Sequence, residues 1–329
     1  MGINLNPVKI ETPSKVILFG EHAVVDGYNA ISMAIDLKTY GKVSKNSDIN
    51  RIIINLKNLN KKIEVPIDEI FDIKNKNYCN DLKYVAYALE NTFEYLVENN
   101  LLNKMGIKPF TLDISSGIPV SCGLGSSASV VITTIKAILA IHGVELEKDE
   151  LIKIAHAVEK EVQGKASITD TATITYGGML KIKDGAVEQI KGNLNDIIKG
   201  CDFLIVYAEE RKKKTAELVN EVANHPQKDE IFKSIGEVAN KVESVKNITE
   251  LGILMSKNHE LLKELGVSTE KIDKVVEVGK EYGYGAKLTG AGGGGAVLIL
   301  VDENNKKELL KQLDVLGVIG VFECRMSDY

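Results

Sequence analysis

Apolar positions in the first third of the chain recur in short β-branched runs bounded by Gly, Asn and Asp. On that pattern residues 15–19 (KVILF), 31–35 (ISMAI) and 51–56 (RIIINL) are predicted strands. The period then changes. Over 81–98 the apolar residues Leu82, Val85, Ala86, Leu89, Phe93, Leu96 and Val97 stand at helical spacing, and 109–114 returns to a strand pattern. A glycine turn at 123–125 opens an apolar helix over 127–141, and a second helix from 148 to 163 carries Leu151, Ile154, Ala155, Val158 and Val162 on one face. Residues 167–178 read as loop and strand, and the polar, lysine-rich stretch 181–200 is where a boundary is expected. Beyond it, 202–208 (DFLIVYA) reads as a buried strand and 215–282 as several helices, with 249–265 strongly amphipathic. The end runs strand 286–289, glycines, strand 296–301, helix 303–313 and strand 317–324, an α+β arrangement whose sheet is covered on one side by helices.

The chain has 329 residues, enough for two domains, and no internal repeat or low-complexity tract. Hydrophobic residues at 44% and charged residues at 26% exclude a disordered or fibrous chain. Lys plus Arg number 41 against 46 Asp plus Glu, a net charge of −5 that argues against a dedicated nucleic-acid binder. The absence of tryptophan and only 5% aromatics remove the usual stacking platforms as well. Cys79, Cys122, Cys201 and Cys324 lie far apart with no C-x-x-C pair, which disfavours a zinc ribbon or a redox dithiol and suits a reducing cytoplasm. No apolar run reaches bilayer length and the first residues lack a secretory apolar stretch, so no membrane association and a cytoplasmic location are expected.

Candidate chemistry concentrates in two glycine elements. In GLGSSAS, residues 123–129, small residues before a helix let consecutive backbone N–H groups meet a phosphate at the positive helix terminus, although a tight turn with a serine cap explains the same letters. No G-x-x-x-x-G-K-[ST] occurs, so a P-loop is disfavoured. GAGGGG at 290–295 formally satisfies G-x-G-x-x-G but leads into a strand, so the helix terminus that gives that motif its chemistry is missing. Consecutive glycines are costly in entropy, which favours close approach of backbone to a ligand over a flexible hairpin.

Glu159 shares a helix face with Ile152, Ala155 and Val162, which suits either a salt-bridged helix residue or a carboxylate holding a hard Mg²⁺ ion. Asp170, in the predicted loop after Ser167, suits a turn residue on local grounds. Lys15 reads as a solvated edge lysine, and Glu21 with His22 as a solvated turn. The basic run 211–214 is either solvated or an anion clamp. His259-Glu260 begins a zincin pattern that fails at Lys263, and no G-x-S-x-G elbow exists.

Taken together, PSKVILFGEHAVV at 13–25, IPVSCGLGSSA at 118–128 and KLTGAGGGG at 287–295 resemble, in order and from end to end, the three motifs of the GHMP small-molecule kinases. Within that group, GEHAVV resembles the branch that phosphorylates mevalonate. The resemblance implies a two-domain α+β GHMP-kinase fold: an α/β N-terminal domain over 1–185, a ferredoxin-like α+β C-terminal domain over 186–329, and an active site in the cleft between them. It implies ATP and Mg²⁺, mevalonate as acceptor and a homodimer. Pro119, Gly123, Leu124, Gly125, Ser126, Ser127, Ala128 and Ser129 would wrap the ATP phosphates, with Ser127 and Glu159 holding the metal. Asp170 would take the proton of the acceptor hydroxyl with Lys15 beside it, while Glu21, His22, Thr215, Gly292, Gly293 and Gly294 would face substrate. Such roles cohere because phosphoryl transfer relies on positioning and electrostatics. The alternatives are another acceptor (homoserine, a sugar or phosphomevalonate) and an ATP-binding module without catalysis. The chain departs from the family pattern in having Ser-Ile-Thr before Asp170, where Ser-Gly-Ile or Ser-Gly-Val is usual, and Ala296 where cysteine is frequent.

Overall fold

A computed structural model describes residues 7–46, 50–76, 78, 80–119, 122–164, 166–213 and 215–328, with only the backbone of residues 80, 81, 215 and 216. Cys79, Val120, Ser121 and Lys214 lie outside the described residues. The chain forms two compact units: one is Met1–Ser14, Leu37–Ile118 and Gly125–Tyr176, the other Lys15–Asp36, Pro119–Leu124 and Gly177–Tyr329. A single cut after residue 185 does not describe these units. Two long strands, β1 (Val8–Phe19) and β2 (Ala30–Lys45), pair with each other and contribute one segment to each unit.

In the first unit β3 (Arg51–Leu56) pairs antiparallel with β4 (Lys61–Pro66) and parallel with β5 (Phe110–Ser116). The second half of β2 then pairs antiparallel with β5, Thr39 opposite Ser116. Helices α1 (Asn80–Glu98), α2 (Ser126–His142) and α3 (Lys148–Gln163) pack on one another, and α2 packs on β5. Ile52, Ile54, Leu112, Val131 and Ile135 are part of a largely aliphatic core in which Phe93 and Phe110 are also buried.

Residues 168–176, read as loop and strand, form helix α4 (Ile168–Tyr176). Its β-branched letters, ITDTATITY, mimic a strand, yet the Thr171 hydroxyl donates to Ile168 O at 3.1 Å and the Thr173 hydroxyl to Thr169 O at 2.6 Å. These back-bonds pair hydroxyls that the fold buries, so tertiary burial overrides local propensity.

The second unit begins with the first half of β2, which pairs with β6 (Met179–Lys183), itself paired with β7 (Ala186–Gln189). Short helix α5 (Asn193–Lys199) follows, so the polar stretch expected as a boundary holds two strands and a helix. Next come β8 (Phe203–Glu209), helices α6 (Thr215–Ala223), α7 (Lys228–Val242), α8 (Ile248–Glu264) and α9 (Glu270–Tyr282), β9 (Gly283–Thr289), β10 (Gly295–Val301), α10 (Lys306–Val315) and β11 (Gly320–Cys324). The strands form an antiparallel sheet in the order β11-β8-β10-β9, the ferredoxin-like arrangement expected. Among the described residues no helix is long and apolar enough to cross a membrane.

One crossing fixes where α8 lies. A Cβ on Gly252 of α8 would run into the carbonyl of Tyr284 in β9, and a Cβ on Gly285 would run into the carbonyl of Gly252. Helix and strand backbones touch directly there, which only glycine permits. Gly252→Ala is therefore expected to cost about 2–4 kcal/mol, through forced separation of α8 from β9. Urea unfolding of the variant checks this, and an unchanged midpoint would contradict it.

Candidate active site

The candidate residues fall into two groups, one in each unit. In the first, Gly125 stands at the N-cap of α2 with φ 72° and offers no side-chain acceptor. The first-turn N–H groups therefore present a positive terminus, the arrangement that suits a phosphate. The Ser127 hydroxyl donates to Glu159 Oε1 at 2.8 Å, and Gln163 Nε2 donates to the same oxygen at 3.4 Å. Glu159 on α3 is only 3% exposed. A hydroxyl and a carboxylate side by side are a hard oxygen pair of the kind that, with phosphate and water oxygens, suits Mg²⁺. Among the described residues no three His, Cys, Asp or Glu side chains form a metal cluster of their own.

Ser129 of the serine loop carries no free group toward a ligand. Ser129 is fully buried, its hydroxyl donating to Thr12 O at 3.2 Å and its N–H to Gly125 O at 2.9 Å. Its expected place among the phosphate contacts is therefore corrected: it ties α2 to β1. Ala128 is likewise buried, while Ser126 and Ser127 are half-buried. Asp170 lies half-buried in the first turn of α4, not in a loop. Ile168 stands where the family pattern has glycine; the Ser167 hydroxyl before it accepts the Thr169 N–H at 3.2 Å and starts the helix, and an anion at that end complements its dipole.

In the second unit Lys15 is 3% exposed, so the solvated-lysine reading fails. Its N–H donates to Leu124 O at 3.1 Å, which joins the first and second motifs. Glu21 and His22 are buried as well, at 1% and 8% exposure. The His22 ring bonds Ala291 O through Nε2 at 2.9 Å, so Nε2 carries the proton and donates. Burial pulls its pKa below the usual histidine range; the bond to Ala291 and the Glu21 charge push back, and Arg211 lowers it further. Nδ1 of the neutral ring is left as an acceptor.

Arg211, the first residue of the basic run, lies against two of the glycine motifs. Its guanidinium lies where Cβ atoms on Gly123 and Gly290 would be, 2.6 and 2.9 Å from those positions. Glycines of the second and third motifs thus hold one cation between them, and a side chain at either would displace it. Gly292, Gly293 and Gly294 instead meet protein on the side a Cβ would occupy: Val267 O, the Leu218 side chain and Glu210 O. Protein neighbours account for those three glycines, and Gly293 adds an N–H bond to Val267 O at 2.8 Å. Pro119 is half-buried and Leu124 buried, and Thr215 opens α6 with its side chain outside the described residues. Burial pushes the Cys122 thiol up to about 12, so it is inert.

Sequence reasoning passed over the residues behind these. Lys287 is wholly buried and ion-paired with Glu21; Asn258 Nδ2 donates to Glu21 Oε2 at 3.1 Å; the Thr289 hydroxyl bonds both the N–H and the carbonyl of Ile17. A lysine between Ala286 and Leu288 in the buried strand β9 was the available signal. His259, the failed zincin histidine, accepts the Leu288 N–H at Nδ1 and bonds Asp273 through Nε2 at 3.2 Å.

The family model described as GHMP kinases N terminal domain matches residues 84–178, and GHMP kinases C terminal matches residues 238–315. Fold and motifs thus define a small-molecule kinase of the GHMP class. The mevalonate kinase of Methanocaldococcus jannaschii is 55% identical over 97% of this chain and 99% of its own, and that of Pyrococcus horikoshii is 36% identical over 87% and 86%. A crystal structure of the Methanococcus jannaschii mevalonate kinase superposes with a TM-score of 0.92 at 54% identity, covering 98% of this chain and 99% of that one. The chain belongs to the mevalonate kinase family of the GHMP kinases.

Burial gives His259 a measurable signature. Its pKa falls from 6.5 to about 4, chiefly by desolvation. Below pH 6.5 the unfolded chain binds a proton that the native ring refuses. The stability this ring contributes is therefore complete above that pH and is lost as pH falls towards 4, by about 3 kcal/mol. His259→Gln should flatten the wild-type decline in unfolding free energy over that window; parallel curves would contradict the assignment.

Proposed function

We propose that this protein transfers the γ-phosphoryl group of ATP to the 5-hydroxyl of (R)-mevalonate, giving 5-phosphomevalonate and ADP. The observation that carries this reading is the 55% identity to a mevalonate kinase over 97% of the chain. The uncapped start of α2 binds the phosphates through its N–H groups. Ser127 and Glu159 hold Mg²⁺, which when bound neutralises phosphate charge during transfer. Asp170 accepts the proton of the 5-hydroxyl, and Lys15 supplies positive charge to the oxygen that becomes the nucleophile. Arg211, fixed by Gly123 and Gly290, supplies a further cation toward phosphate. His22, Thr215 and the third glycine loop face the acceptor. A cytoplasmic location and a homodimer are the expected setting.

The direct test is ADP release by the purified chain with Mg·ATP and, separately, mevalonate, phosphomevalonate, homoserine, galactose or no acceptor. Release with mevalonate alone is expected; release with another acceptor only would overturn the substrate. Asp170→Asn should lower kcat by about 10²–10⁴ with the KM for Mg·ATP nearly unchanged. Normal turnover in that variant would remove Asp170 from proton transfer. Ser127→Ala and Glu159→Gln should shift the Mg²⁺ dependence of the rate to higher concentration, and unshifted titrations would deny both their metal role.

A further inference from the structure

The turn that carries Glu21 and His22 is held under strain by charges that reach no solvent. His22 is a non-glycine residue at φ 62° and ψ −47°, a conformation of the kind that costs about 1–3 kcal/mol and persists only where its surroundings over-determine it. Gly20, two residues earlier and at φ 90°, has the Asn29 carbonyl and Ala30 in the space a Cβ would take. The Val24 N–H donates to Gly20 O at 3.2 Å and the Val25 N–H to His22 O at 3.1 Å, so the turn closes on itself.

The strongest restraint lies beneath it. Lys287 Nζ has three acceptors: Glu21 Oε1, Leu288 O at 2.7 Å and Ile17 O at 3.3 Å. Those use its three protons. The other Glu21 oxygen, Oε2, takes Asn258 Nδ2 at 3.1 Å. Neighbouring residues of α8 thus address both sides of the turn's support, Asn258 through Glu21 and His259 through the Leu288 N–H. Both are buried, and the Gly252 contact sets α8 close enough to β9 to bring them there.

A substrate contact needs an oxygen free to turn outward. Glu21, 1% exposed with both oxygens engaged inside its own unit, has none. We infer that Glu21 is a positioning residue: paired with Lys287 and braced by Asn258, it locks the Gly20–Glu21–His22 turn so that the His22 ring is held on Ala291 of the third glycine loop, preformed for the acceptor. Lys287 and Asn258 are then specificity elements that touch no substrate. The part of this that concerns the acceptor rests on the functional reading above; the locking of His22 does not.

The inference separates from that reading in experiment. Steady-state kinetics of the full chain use whichever acceptor the wild type phosphorylates, and the His22 imidazole signals are followed by NMR without substrate. Lys287→Met leaves the Glu21 carboxylate buried and unpaired. It should raise the acceptor KM about tenfold or more, lower kcat less than about threefold, leave the KM for Mg·ATP unchanged and move the His22 resonances. Adding Glu21→Gln to Lys287→Met removes the stranded charge and should recover most of the loss. A double variant no better than the single would mean that the Glu21 carboxylate itself binds acceptor. Should Lys287→Met not fold, Asn258→Ala keeps the ion pair and removes only its brace. Displaced His22 signals with an acceptor KM raised about threefold would support the inference. Unmoved signals and an unchanged KM would overturn it.

Discussion

Close approach of backbone to backbone and of backbone to cation, wherever a side chain is missing, is the constraint on which the second unit depends. Gly252 and Gly285 let α8 lie directly on β9, and that contact delivers Asn258 and His259 to the strand opening the third glycine loop. Gly123 and Gly290 leave a slot that the Arg211 guanidinium fills. Gly20 presses on Ala30 and starts the turn that carries His22. At each place a methyl group would occupy volume already taken, so these glycines are packing elements first. Their chemical consequence follows from what they admit: a cation between two glycine loops, and a helix close enough to brace a carboxylate.

The units divide the electrostatics between them. The first offers an uncapped helix terminus and an oxygen pair, Ser127 with Glu159, both suited to phosphate and a hard cation. The second offers fixed positive charge at Lys15, Arg211 and Lys287 together with a neutral histidine. Phosphoryl transfer asks for little covalent chemistry from protein side chains and much fixed charge, so neither set needs a nucleophile or a redox group. The buried thiol of Cys122 beside the glycine loop is in keeping with that, being too basic to react.

Most of the fold was legible in the letters because it follows amphipathic period. The helices α1, α2, α3 and α8 and the strands β3, β5, β8 and β10 lie within a few residues of where hydrophobic spacing put them. α4 was not legible, because ITDTATITY has strand propensity and is helical here with the Thr171 and Thr173 hydroxyls buried and bonded back to the chain. β6, β7 and α5 were missed as well, being short and set in a polar stretch. The motif residues were legible as a resemblance, yet local reasoning mistook the environment of Lys15, Glu21 and His22 for solvent. Burial is decided by partners more than two hundred residues away, Lys287 and Ala291, and no window of local sequence contains them.

Buried ion pairs are poor sources of stability, since desolvation of both charges offsets most of their attraction. The Lys287–Glu21 pair is therefore hard to explain as a device for folding. Burial pulls the Lys287 ammonium below the usual lysine range while Glu21 pushes it back, and an apolar pair of similar volume would fill the same space. What an apolar pair lacks is direction. Three protons on Nζ and two carboxylate oxygens fix the turn against β1, β9 and α8 at once, and a strained residue such as His22 needs that many independent restraints. Folds of this class act on chemically different acceptors, so the choice among them falls to side chains presented by loops. A loop can discriminate only if it is stiff, and here the stiffness comes from charge held in a dry interior.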